Sequence, residues 1–412
     1  VNETRPPDLR PGALLLSGLR RGALLVFLPV AIVGQILAWL EYAISGWYGP
    51  WSWMKIGIAY TLAGVRVPFV ALVRGQPPQE LSLVIAIGAL TVAILVLAFR
   101  SGRAQARGLE DRPMAAALAG AVPGLGVALP MFVTSLLVQL GFPQFRIASL
   151  HPRFWAALVV PLVVVGVTGA IGGLAAARDR LEEARTWTSR TVAGVRGGAV
   201  ALWWGIALSF VVFLVLAVVE TGVTSAYGRG VGNMGGGGGV VVVHHALLLP
   251  NQSALVLSAT MGSPVVLDLA GEPAAEVGLT GIRFQGDGGA FLSAFLGVDG
   301  DRLAFPVWYL AFLLVPASAT IVGGRHAASG VRSRGEAVVR GVLAGVVFAM
   351  LAAGAGWAAS VTLPVFAPLA APSLGPDVVR ATLLGLAWGI AGGTIGALMP
   401  ERPPWDRRTE PG

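Results

Sequence analysis

Apolar residues run in long, nearly unbroken blocks along this chain, and short charged segments separate them. Eight blocks, at 22–44, 81–99, 114–140, 154–177, 199–220, 303–322, 341–363 and 381–399, are each about long enough to cross a bilayer as a helix; roughly 20 residues rising about 1.5 Å each suffice. Two further blocks are less regular. The stretch 54–73 carries Arg66, and a lipid-facing arginine near the bilayer centre costs at least about 2.5–3.5 kcal/mol. The stretch 240–264 is interrupted by Pro250, Asn251 and Gln252. Proline removes a backbone donor and crowds the preceding turn, so this stretch predicts two half-helices meeting at a polar elbow.

Composition agrees with the pattern. The 412 residues are 55% hydrophobic and 12% charged, about half the charged fraction of a soluble domain. The expected fold is an all-α polytopic membrane protein with about eight transmembrane helices. Arginine placement sets the expected topology, because basic residues concentrate in cytoplasmic loops. With the N-terminus in the cytoplasm, the eight blocks put most of the 29 basic residues inside, in clusters such as Arg100, Arg103, Arg107 and Arg112. Crossing by only one irregular block would invert every later helix. Crossing by both would put the arginine loops after 99 and 177 outside. Both blocks therefore read as outer-side re-entrant or interfacial segments. Both termini are then cytoplasmic, and the setting is a plasma membrane. The net charge of +8 fits anionic lipid headgroups at the arginine loops rather than nucleic acid, since the arginines do not form one patch.

The threading repeats itself. Each half has one helix, an irregular outer block, a second helix, an arginine loop and a helical hairpin. Short echoes occur at matching places: Glu41–Gly49 with Glu220–Gly228, Gly102–Gly108 with Gly324–Gly330, Leu118–Val122 with Leu343–Val347, and Gly169–Leu174 with Gly393–Leu398. A parallel internal duplication follows as an expectation, with 1–198 and 199–412 as the two membrane repeats. The second repeat has an outer insertion at 265–302, in which Val265–Leu269 and Val277–Phe284 have strand composition.

Candidate chemistry is sparse. Asn251, beside Pro250 and Gln252, can cap a half-helix and aim free N–H groups at an anion. A proline kink with locally satisfied polar groups is the plainer reading. Arg66 can hold an anionic group or snorkel to the interface. His244 and His245 are adjacent and so diverge on a helix, which suits pH sensing or structure better than metal binding. Glu41 and Glu220 end equivalent helices and form a possible symmetric pair. Overlapping GxxxG patterns at Gly385, Gly389 and Gly393, with Gly169/Gly173 and Gly341/Gly345, read as helix-packing faces. The chain has no cysteine, and Lys55 is its single lysine, so thiol chemistry and a Walker A loop are excluded. No HExxH or GxSxG motif occurs, and the reading calls for no catalytic residue, metal or cofactor.

The first helix, the tryptophan-containing stretch 51–73, the helix ending Arg100-Ser101-Gly102-Arg103 and the Leu249-Pro250-Asn251 elbow together resemble the PerM-like membrane proteins of actinobacteria, which are associated with cell division. The resemblance spans most of the chain. It implies a non-enzymatic scaffold or partner in cell-envelope or division machinery, working with another membrane protein. The duplication and the elbow leave a second reading open: a transporter or channel for a small anionic or lipidic molecule.

Overall fold

The computed structural model describes residues 11–45, 52–73, 79–84, 87–142, 147–177, 187–219, 238–269, 272–296, 300–331, 333–362 and 373–399. It is mostly helical. Among the described residues seven helical stretches are long and apolar enough to cross a membrane: Gly12–Ala43, Pro113–Ser135, Phe154–Ala176, Ser189–Leu216, Val307–Ala327, Arg334–Ala359 and Val378–Leu398. The chain is a multi-pass membrane protein.

In chain order, α1 (Pro11–Arg21), a π-helical segment (Gly22–Phe27) and α2 (Leu28–Ser45) run on from one another. A short α3 (Ser52–Ala63) leads into strands β1 (Phe69–Val73) and β2 (Gln79–Leu83). Then come α4 (Gly88–Gln105), α5 (Pro113–Ala121), α6 (Pro123–Ser135), β3 (Leu140–Phe142), β4 (Ile147–Pro152) and α7 (Phe154–Ala176). The second half begins with α8 (Trp187–Val219) and α9 (Gly238–Thr260). It continues through β5 (Val265–Leu269), β6 (Glu272–Gly278), β7 (Gly281–Phe284), α10 (Gly286–Leu296) and β8 (Arg302–Ala304). A 3-10 turn (Val307–Leu313) opens α11 (Leu314–Ala327), followed by α12 (Arg334–Ala359), β9 (Val361–Thr362), β10 (Ser373–Pro376) and α13 (Val378–Leu398).

The strands correct the all-α expectation. They form two antiparallel sheets, one of four strands in the order β2-β1-β4-β3 and one of six in the order β8-β7-β6-β5-β10-β9. The expected span at 81–99 starts later, at Gly88, because Leu81, Ser82 and Leu83 pair with β1. With Arg100 and Arg103 in its second half, α4 is not one of the seven apolar spans. Backbone groups at the membrane surface need partners, and residues flanking the helices meet that need by pairing across the chain. Val265–Leu269 is the strand expected from its composition. Val277–Phe284 is not one strand, because the chain turns back between Gly278 and Gly281, where Gly281 has φ 144°.

The helix layer is closed by backbone approach at glycines. A Cβ on Gly102 would lie 2.1 Å from the Gly169 carbonyl oxygen, and one on Gly324 would lie 2.1 Å from that of Gly393. Gly172 stands in the same way 2.1 Å from Phe99 O, and Gly396 2.0 Å from Ile321 O. Small residues let helix backbones meet where no solvent-driven force holds them together, and the expected glycine faces are these contacts. The echo Leu118–Val122 with Leu343–Val347 is one helical turn out of step with the packing. Gly120 meets Gly169 as Gly341, not Gly345, meets Gly393.

The largest correction concerns 240–264. Instead of two half-helices, α9 is one helix with Pro250 inside it. One missing hydrogen bond does not break a helix whose following turns are buried, and Ala254, Leu257 and Met261 are all buried. Its end is a Schellman turn: Gly262 N–H donates to Ala259 O at 2.9 Å and Ser263 N–H to Ser258 O at 3.0 Å, with Gly262 at φ 93° and Pro264 next. The end of α3 has the same turn. There Arg66 N–H donates to Ala63 O at 2.9 Å and Val67 N–H to Leu62 O at 3.1 Å, with Arg66 at φ 62° and Pro68 next.

Two ends of the helix layer can be told apart. Arg103, Arg325 and Arg334 lie at one end, where Arg190 and Arg340 flank Glu336, with Arg190 Nη2 2.7 Å and Arg340 Nε 3.1 Å from its carboxylate. The two sheets lie at the other.

Candidate functional site

The sheet end holds Asn251 and Arg66, two of the residues with candidate chemistry. Asn251 is 5% exposed, and its side chain ties three helices together. Its Oδ1 accepts the N–H of Gly88, the first residue of α4, at 2.7 Å. Its Nδ2 donates to the carbonyl of Ala359, the last residue of α12, at 3.3 Å. Helix ends leave N–H and C=O groups without intrahelical partners, and one amide from α9 serves both. Asn251 thus caps neighbouring helices rather than its own. It is also level with the sheet end, whereas Met261, ten residues on, accepts from Trp388 Nε1 at 3.1 Å, well inside α13. The last turns of α9 dip from the sheet end into the helix layer, and β5 brings the chain back to pair with β10. The shorter α3 ends alike, with Gly64 against Leu90 and Ile94 of α4 before β1 pairs with β4.

Arg66 follows α3 in the left-handed region, which costs a non-glycine residue about 1–2 kcal/mol. Its Nη1 donates to the carbonyl of Trp357, near the end of α12. Its guanidinium also lies 4.2 Å from the centroid of the Trp357 ring, a cation–π contact. Nε is buried with no partner. Burial lowers the Arg66 pKa to about 10, so it stays cationic at neutral pH. Backbone strain held in place by several contacts is a recurring mark of functional positions.

Arg66 lines a cavity of about 340 Å³ between the two halves, together with Asp268, Ser360, Thr362, Ser373 and Asp377. Thr362 N–H donates to Val84 O at 3.0 Å, so the edge strand β9 touches the segment after β2 beside the cavity. Asp377 caps α13, accepting from Arg380 N–H at 3.0 Å, and pairs with the Arg380 side chain at 3.2 Å. Asp268 accepts from Ser373 Oγ at 3.1 Å. Among the described residues no carboxylate pairs with Arg66.

The other expected site residues are not gathered here. Glu41 is buried on α2 and accepts from Tyr60 of α3, which fastens those helices together. Glu220 lies outside the described residues, so its pairing with Glu41 does too. His244 and His245 fall on α9, with their side chains outside the described set. Gln252 is half-buried on the same helix, next to the clamp. Among the described residues no three His, Cys, Asp or Glu side chains are placed to share a metal ion. Sequence reasoning singled out Arg66 but missed Asp268, Ser360, Thr362, Ser373 and Asp377. A local signal was the His-Pro and Gly-Pro pairs at 151–152 and 375–376, each separated from the following helix by one capping residue. Comparison with known protein families, with curated proteins and with solved structures returned no match.

Proposed function

We propose that this multi-pass membrane protein is a non-enzymatic scaffold or partner in bacterial cell-envelope or division machinery, with its sheet end as the recognition face. The observation that carries this reading is a segregation of chemistry. Backbone contacts at glycines close the helix layer, while the pocket, its charges and the strand edges gather at one end. The resemblance to the PerM-like proteins points the same way. Arginines crowd the opposite end, which favours a plasma-membrane orientation with that end and both termini in the cytoplasm.

Within this reading the halves 1–198 and 199–412 are a parallel duplication. The sheet core β2-β1-β4-β3 has its match in β6-β5-β10-β9. Arg153 N–H donates to Pro68 O at 2.8 Å, and Asp377 N–H donates to Pro264 O at 3.2 Å. Gly108 and Gly330, after α4 and α11, have φ 85° and 76°. The turns after α3 and α9 have the same hydrogen bonds at a constant spacing, with Arg66 corresponding to Gly262 and Pro68 to Pro264. The true insertion is then narrower than 265–302, because β5 and β6 have counterparts in β1 and β2.

Capture from native membranes in mild detergent tests the function. A specific membrane-protein partner, with no flux of small anions through the protein in liposomes, is the expected result. Flux without a partner would instead support a transporter or channel for a small anionic or lipidic molecule, a reading favoured by the two helices that dip from the sheet end. Orientation is tested in the same cysteine-free chain. Thr280→Cys and Arg302→Cys should react with an impermeant reagent on intact cells, and Arg107→Cys and Ser329→Cys should not; the reverse pattern refutes the orientation.

A further inference from the structure

We infer that the cavity between the halves is a binding site for a small zwitterion, a molecule carrying one carboxylate and one ammonium group. Arg66 and Asp268 both line it, yet among the described residues they pair neither with each other nor with another ionic partner. Opposite charges facing one cavity without neutralising each other suit a ligand with the complementary pair. Asp377 is different, because Arg380 and the α13 cap already satisfy it. That leaves one cation and one anion for the ligand.

The rest of the wall fits. Ser360 and Ser373, whose protons go to Gly356 O and Asp268, supply acceptor oxygens, Thr362 supplies a further hydroxyl, and Val84, Val266 and Leu374 supply apolar surface. A volume of about 340 Å³ is at the small end of the usual range for ligand sites, about 300–1,000 Å³. The guanidinium is set before any ligand arrives, by the Trp357 carbonyl and ring, and such preorganisation lowers the cost of binding. With one N–H of Nη1 on Trp357 O and Nε buried, Nη2 and the second N–H of Nη1 are left to donate to a carboxylate. The corresponding position in the second half is Gly262, which carries no side chain, so the repeated turn does not repeat this cation.

The site needs the cavity but not the scaffold reading: a chain that captures no partner can still bind a zwitterion. The test is calorimetric or thermal-shift titration of the full chain in mild detergent with glycylglycine, N-acetylglycine and glycinamide at constant ionic strength. Glycylglycine should bind with saturation, and each singly charged probe at least about tenfold more weakly, since a charge-assisted hydrogen bond contributes about 1.5–3 kcal/mol. Asp268→Asn keeps an acceptor for Ser373 and should lower glycylglycine affinity about tenfold or more while leaving N-acetylglycine unchanged. Arg66→Gln should do the converse with glycinamide. If Arg66→Gln does not fold, Asp268→Asn and the three probes still decide. Equal binding of the three probes, no saturable binding of glycylglycine, or an Asp268→Asn variant that binds it normally overturns the proposal.

Discussion

Replacing Asn251 by alanine separates a structural clamp from a ligand contact. The substitution removes the 2.7 Å bond from Gly88 N–H and the 3.3 Å bond to Ala359 O, in a place where Asn251 is 5% exposed. An unsatisfied buried donor costs about 1–3 kcal/mol. The carbonyl, with its longer bond, is tolerated better, because under-satisfied C=O groups are commoner than orphaned N–H groups. The expected loss is about 2–4 kcal/mol in total. Equilibrium unfolding in mixed micelles, followed by tryptophan fluorescence, measures it. A second variant sharpens the test. A Cβ on Gly88 would lie 2.2 Å from Asn251 Oδ1, so Gly88→Ala is destabilising while Asn251 is present. It should cost less in the Asn251→Ala background, although Asn251 N and Pro250 Cβ, both 3.0 Å away, still crowd it. A coupling energy of about 1–2 kcal/mol is expected for groups in such contact. If Asn251→Ala stays within about 0.5 kcal/mol of the parent and the two substitutions add independently, the clamp is wrong.

Gly102→Ala and Gly324→Ala should each destabilise by about 1–3 kcal/mol or more, because the new methyl meets a backbone carbonyl at 2.1 Å that cannot swing away. Gly354→Ala, with nothing within 4 Å, is the control and should be neutral or stabilising by up to about 1 kcal/mol; equal thermal stability of all three variants would contradict the packing. Gly262→Ala should cost about 1–2 kcal/mol from its φ of 93° alone, since the nearest atom is Leu384 Cδ1 at 3.7 Å, and Gly262→Asn should cost less. Glu336→Gln breaks ion pairs whose side chains are only partly buried. A loss under about 1 kcal/mol that shrinks further in high salt is expected in the same unfolding assay.

Particular elements show how far the residues alone carry a reader. Seven of the eight regular apolar blocks, the glycine faces and the strand Val265–Leu269 are local signals and match the structure, whereas the block at 81–99 gives its first residues to a strand and its helix starts at Gly88. The elbow failed because proline was weighed without its neighbours. A helix with one lost hydrogen bond persists when the turns beyond it are packed, as Leu257 and Met261 are. The first sheet was missed because Phe69–Val73 pairs with Ile147–Pro152, about eighty residues away, and neither strand carries its partner in its own pattern.

The amino-acid sequence by itself determined that this chain lives in a membrane, because burying so much apolar surface with so few charges leaves no soluble alternative. It also marked the helix faces that pack, because small residues, glycine above all, let backbones come close. The tertiary structure alone decided what Asn251 and Arg66 do. Asn251 caps the ends of two helices far from it in the chain, and Arg66 reaches Trp357 across the boundary between the halves. Both roles depend on which chain ends the fold brings together, and no local pattern encodes that.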